Sequence, residues 1–272
     1  MHWFPIAHKD VNDAGRSRLV WIILGLFVVG FVGFVMSEGL SVDTEVAALV
    51  DDLAQAIALV VPVIALLLGY KSIAYERING SIVLVLSFPH SRADLVAGKY
   101  VGRTFVLLVP LLVAMGSSGL AMLVLLGATG MAWYLWFVLI SILYALVFLS
   151  VAMAISMSTA AERRITLGAF AAYILLVSLW DNLVTTFVLV IYRFNFDVLV
   201  DLPSWAFLAY LLKPSEAYYR LLHLGFDSEH AMELVQDGVP WFVDWWTAVL
   251  VLVAWIGVPM LVGYWRFVRA DL

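Results

Sequence analysis

Cysteine is absent from this 272-residue chain, and charge is scarce, with 13% of residues Asp, Glu, Lys or Arg. The first absence excludes disulfides and thiolate metal sites and leaves the redox compartment unreadable. The second excludes an ordinary soluble domain, in which about a quarter of residues are charged. The five histidines, His2, His8, His90, His223 and His230, all fall outside the long apolar runs. An intramembrane protease would need a nucleophile, metal ligands or paired acids at membrane depth; with every histidine outside the runs and no acidic mate for Asp181, that class loses ground. A proton-coupled carrier would bury several ionisable groups, and Asp181 is the one such group in view. A Walker phosphate loop is missing too: Gly98-Lys99 is followed by Tyr100, and Ala93 stands where the first glycine belongs. The chain is no nucleotide hydrolase of that class.

What is present is apolar: 64% of residues are hydrophobic, and mean hydropathy is +1.02. About 20 apolar residues cross the roughly 30 Å hydrocarbon core as a helix. Six stretches meet or approach that length: Leu19–Met36, Leu53–Tyr70, Thr104–Leu126, Trp133–Ala154, one from Ile165 to between Trp180 and Ile191, and Trp246–Trp265. None alternates as strands do, which excludes a barrel. The expected fold is all-α, a polytopic membrane protein with six transmembrane helices forming one domain over 1–272. The first run is long and is followed by Ser37-Glu38 rather than a small-x-small site, so it reads as a span and not a signal peptide.

Six spans put both termini on one side with the loops 71–103 and 155–164. That side holds twelve of the fifteen basic residues; Arg193, Lys213 and Arg220 make up the other side. The positive-inside rule makes the first side cytoplasmic. Fourteen of the twenty acids lie on or beside the outer face, so the net charge of −5 is an external property and implies no nucleic-acid partner. With four Lys against eleven Arg, such an exterior would suit a cell membrane in a high-salt habitat, a halophilic archaeon or bacterium.

Several segments carry shape. In the lead, 1–18, Trp3, Ala7, Val11 and Ala14 form a short apolar stripe, with Lys9, Asp10, Asp13 and Arg16 off it. This predicts an interfacial helix with Trp3 and Phe4 as aromatic anchors and Lys9, Arg16 and Arg18 at the headgroups. Gly25, Gly30 and Gly33, and likewise Gly116 to Gly119, are packing faces within one chain or between two. The loop 71–103 reads as a helix continuing from the second span over Lys71–Asn79, stopped by Gly80. An apolar run Ser81–Phe88 follows, ended by Pro89, and Ser91 or Asp94 caps the helix that becomes the third span. An apolar centre beside Arg77, Arg92 and Lys99 has the make-up of a docking surface. The fifth span either continues past Asp181 or ends at Trp180 with Leu183–Ile191 along the interface. Segment 193–240 is too long for a plain loop. It predicts an outer cap from the run Trp205–Leu212 and short helices over Glu216–Leu224 and Ser228–Gln236. His223, Asp227 and His230 are spaced for a solvated face better than for a metal, and Met115, Met122, Met153 and Met157 for packing.

The pattern Glu76-Arg77-x-x-Gly80-Ser81, Leu86-Ser87-x-Pro89-x-Ser91-Arg92 and Gly98-Lys99-Tyr100 resembles the first cytoplasmic loop of type-2 ABC transporter permeases. It is most similar to the subfamily associated with multicopper-enzyme maturation and nitrous-oxide reductase assembly. The lead Ala7-His8-Lys9-Asp10 with Arg16-Ser17-Arg18, and Lys213-Pro214-Ser215-Glu216-Ala217-Tyr218, extend the resemblance along the chain. It implies an export-type permease acting as a dimer, with a second copy or a paralogue, and driven by separate cytoplasmic ATP-binding subunits that hold the ATP and magnesium. This chain would bind no cofactor itself. The resemblance also implies that the loop docks on the ATPase through Glu76, Arg77, Gly80, Ser81, Pro89 and Arg92, with Ile82, Val83, Leu84 and Leu86 as buried contact. It implies an outer gate comprising Asp181, Pro214, Glu216, Tyr218 and Tyr219. The competing reading is a membrane anchor that recruits a cytoplasmic partner and moves nothing.

Overall fold

A computed structural model of the protein describes residues 3–40, 45–82, 91–226 and 240–270. Among them there is no strand, and six helices are long and apolar enough to cross a membrane. The lead forms α1 (Phe4–Gly15), with Pro5 in its first turn, where a missing N–H costs nothing. Two spans follow, α2 (Arg18–Glu38) and α3 (Val46–Gly69), then the short α4 (Ala74–Ile78). The third and fourth spans are α5 (Arg92–Leu126) and α6 (Met131–Ser158).

The fifth span is a single helical path: α7 (Glu162–Tyr173), a π-helical stretch over Ile174–Leu179, and α8 (Trp180–Ile191). The helix therefore does not stop at Trp180. A 3-10 turn (Phe196–Leu199), α9 (Ser204–Leu211) and α10 (Pro214–Leu222) precede the last span, α11 (Trp245–Arg269). The short helices α9 and α10 thus start and stop close to their expected places. Leu84, Leu86, Pro89 and the expected helix Ser228–Gln236 lie outside the described residues.

The central helix is α6, which packs against α3, α5, α10 and α11. It is apolar on every side, as a helix enclosed by others should be. Tyr144, Phe148 and Met153 are fully buried, as are Met115, Met122 and Met157. By contrast, α2 and the fifth span turn Trp21, Ile22, Phe170 and Phe187 outward, where lipid tails are as apolar as they are.

One fastening shows how a sequence cost is recovered. Pro62 in α3 has no N–H for the carbonyl of Ala58 four residues earlier. The Tyr144 hydroxyl of α6 donates to that carbonyl at 2.9 Å. A buried acceptor that lipid could not satisfy thus becomes a bond between spans. The glycines divide: Gly119 packs against the Tyr134 ring, whereas a Cβ at Gly25, Gly30, Gly33 or Gly116 would meet nothing within 4 Å among the described residues.

Candidate functional site

The basic face, which carries the lead and the end of α11, is built around a close approach. Gly98 and Gly102 lie one turn apart on α5. A Cβ at Gly98 would stand 2.7 Å from the Trp3 carbonyl oxygen and from Ile6 Cβ; one at Gly102 would stand 2.8 Å from Asp10 Cβ. Their small size lets α1 lie directly on α5. The stripe that α1 buries is Ala7, Asp10 and Ala14. This corrects the expectation that Asp10 stays off the stripe: offsets of three and seven put it on the same helical face as Ala7 and Ala14. Lys9, Asp13, Arg16 and Arg18 are exposed as expected, Trp3 is half-buried and Phe4 is exposed.

An enclosed carboxylate needs cations, and α5 supplies two. Lys99 Nζ lies 3.1 Å from Asp10 Oδ1, and Arg103 Nε lies 3.0 Å from Oδ2, the latter in ionic contact without hydrogen-bond alignment. Lys99 also reaches Glu76 Oε1 of α4 at 2.7 Å. Four charged residues thereby join α1, α4 and α5.

The rest of α4 is tied down on other sides. Its helix does not run on from the second span: the chain turns over Tyr70–Ile73, and Ser156 Oγ of α6 accepts the N–H groups of Ile73 and Ala74, both at 3.0 Å. Those are the first donors of the helix, which have no partner inside it. Arg77 donates to the Met157 carbonyl at 3.3 Å. Gly80 stops the helix at φ +71°, as expected, and Ser81 Oγ donates to the Glu76 carbonyl at 3.4 Å.

Arg92 donates from Nη1 to the carbonyls of Phe267 and Val268, both at 2.9 Å, and of Ala270 at 3.1 Å. A cation on the unpaired carbonyls of a helix end is favourable, so Arg92 caps α11. Arg77 and Arg92 both stand near the buried Phe267 ring, at 5.9 and 5.7 Å from its centre. Ser91 and Asp94 cap α5 reciprocally, each accepting the other's backbone N–H. Ile82, expected as part of a partner contact, is 1% exposed and packs into the chain's own core. The apolar side chains that α4 turns outward are Tyr75 and Ile78.

The opposite face carries a smaller network. Lys213, whose side chain is 10% exposed, places Nζ 2.6 Å from Asp181 Oδ2 and 3.3 Å from Glu216 Oε1. Glu216 sits in the first turn of α10, where the helix dipole favours an acid. Two indoles hold the end of α9: Trp180 Nε1 donates to the Ala209 carbonyl and Trp255 Nε1 to that of Leu212, both at 2.9 Å. Pro214 and Tyr218 are buried and Tyr219 half-buried. The Tyr218 hydroxyl meets Ser141 Oγ at 3.1 Å, and its ring lies 4.8 Å from Tyr144. All five expected gate residues thus belong to this patch or its neighbours. Sequence reasoning missed Lys213 as the partner of Asp181; the signal was a lone lysine in an acid-rich segment, directly before a proline. Among the described residues no three His, Asp or Glu stand together as metal ligands, and Asp227 and His230 lie outside those residues.

Residues 4–272 match the family described as ABC-2 family transporter protein. The chain belongs to that family, and it is a membrane-spanning permease subunit of an ABC transporter. It is 32% identical over 278 residues to the probable ABC transporter permease protein NosY of Stutzerimonas stutzeri, covering 97% of both chains. To the protein of the same name from Pseudomonas aeruginosa it is 32% identical over 284 residues, covering 99% of this chain and 98% of that one. Nothing in these matches supports the high-salt reading of the acidic exterior.

Proposed function

We propose that the protein couples ATP hydrolysis on a separate ATP-binding subunit to outward movement of a substrate, as one half of a permease dimer. In this reading the basic face is cytoplasmic, in keeping with its twelve basic residues against three. ATP and magnesium sit on the partner, and Tyr75, Ile78 and the segment after Gly80 receive it.

The observation that carries the reading is the chain of charges Glu76–Lys99–Asp10–Arg103. A short helix on a loose loop would absorb a push. Here α4 is bonded to α5 through Lys99 and to α6 through Ser156, while Arg77 and Arg92 meet at the end of α11. A displacement of α4 is therefore passed to the bundle as a whole, the requirement for alternating occlusion by rigid-body shifts. On the far face α9 and α10 move with the fifth span through Asp181, Lys213 and the Trp180 indole, and act as the gate.

The test uses the permease co-purified with its ATP-binding subunit in lipid nanodiscs. Gly80→Pro cannot hold a positive φ, and Arg92→Glu puts an acid on the α11 carbonyls. Both variants are expected to insert and to lose cargo-stimulated hydrolysis. The cargo is found by the same assay, as the compound that stimulates the wild type. Unchanged coupling in both variants would sink the proposal and leave the anchor reading, in which the partner is recruited and nothing stimulates it.

A further inference from the structure

Between α3 and α7 runs a trough of about 320 Å³. From α3 it takes Val63, Leu66, Leu67 and Tyr70, and from α7 Thr166, Ala169, Phe170 and Tyr173. Both sets follow offsets of three, four and seven, so each helix gives the trough one face. Leu67 and Phe170 are more than half exposed along its lips, which leaves it open sideways to the hydrocarbon. Toward the basic face it meets a second pocket of about 300 Å³, sharing Leu67 and Tyr70. There the lining changes to Lys71, Lys99, Arg103, Ser72 and Glu76.

The shape is that of an amphiphile with an anionic head. From Val63 to Gly69 α3 rises about 9 Å, and Lys71 follows in the turn just beyond its end, so the apolar trough ends close to where the cations begin. Lys99 and Arg103 share Asp10, and Lys99 also meets Glu76. Among the described residues Lys71 has a single acid, the solvent-exposed Glu162, and an ammonium has three donors. The lining of this second pocket itself holds three cations, Lys71, Lys99 and Arg103, against one carboxylate, Glu76, so an anionic head entering it faces mostly positive charge. Tyr70 at the junction, with Lys71 Nζ 5.5 Å from its ring centre, is an aromatic of the kind enriched at headgroup level.

We propose that this groove binds one anionic phospholipid, with its phosphodiester at Lys71, Lys99 and Arg103 and one acyl chain in the trough between α3 and α7. Basic pockets between transmembrane helices take anionic headgroups by this chemistry. The phosphate would compete with Asp10 and Glu76 for the same cations, so lipid charge would tune the α1–α4–α5 network. The inference stands on the groove alone and does not depend on ATP coupling.

The full chain, delipidated in detergent, is titrated with phosphatidylglycerol or phosphatidylcholine of equal chain length, and retained lipid is counted by native mass spectrometry. Phosphatidylglycerol is expected to be retained several-fold better. Lys71→Gln should remove most of that preference without changing phosphatidylcholine retention, and Ala169→Phe, which fills the trough, should weaken both. A thermal unfolding midpoint near wild type qualifies each variant, and Lys71→Gln decides where Ala169→Phe fails to fold. Equal retention of the two lipids, or phosphatidylglycerol retention indifferent to Lys71→Gln, overturns the proposal. So does displacement of phosphatidylglycerol by glycerol phosphate, which would make this a site for free phosphate.

Discussion

The two faces of the bundle bury charges of opposite sign. On the basic face the enclosed residue is an acid, Asp10, its side chain 4% exposed between Lys99 and Arg103. On the acidic face it is a base, Lys213, between Asp181 and Glu216. In each case the buried residue carries the sign that is scarce on its face. The surplus charge supplies the partners that an enclosed charge cannot do without. Surplus charge therefore reports the topology of the chain, and the scarce charge marks where elements are joined. The networks differ in enclosure. Lys99 and Glu76 are largely covered like Asp10, whereas the Asp181 side chain is 45% exposed and its pairing is screened by water.

This contrast can be broken most directly at Asp10. Asp10→Ala leaves Arg103 without its acid and Lys99 with Glu76 alone in a largely enclosed site, and is expected to cost about 3 kcal/mol. It is read as a lower thermal unfolding midpoint in nanodiscs; a midpoint within a degree of wild type would show that the network is not enclosed. Next comes Lys213→Met, which leaves two acids in partial contact with water and is expected to cost about 2 kcal/mol, below the range for a fully enclosed pair. A loss matching that of Asp10→Ala would erase the distinction between the faces. The smallest effect is expected from Asp181→Asn, at most about 1 kcal/mol and diminished by salt. Comparing unfolding midpoints at low and high salt checks it, and a large, salt-independent loss would place Asp181 in a dry site.

The six spans, the Gly80 stop, the cap at Ser91 and the short helices α9 and α10 were legible in the sequence because each rests on local features: apolar length, a residue tolerant of positive φ, or a hydroxyl before a helix. The joins were not. Asp10 reads as a solvent-facing charge until its offsets from Ala7 and Ala14 are weighed above its polarity. Gly98 fails as part of a phosphate loop, and its spacing of four from Gly102 only gains meaning once α1 is seen lying across them. The break at Tyr70–Ile73 depends on Ser156, more than 80 residues away in the chain. Ile82 shows a further limit, since an apolar segment does not reveal whether its own core or a partner will cover it.

The π-helical stretch Ile174–Leu179 acts as a phase shifter. A π turn takes about one residue more than an α turn, and one residue is about 100° of helical rotation. The fifth span is thus two half-helices out of register. Its lower half turns toward α3 and α6, and its upper half toward α9. Without the added residue the face bearing Asp181 would swing away from Lys213, and one straight rod could not serve both ends of the bundle. A single surplus residue lets the span answer to each face separately.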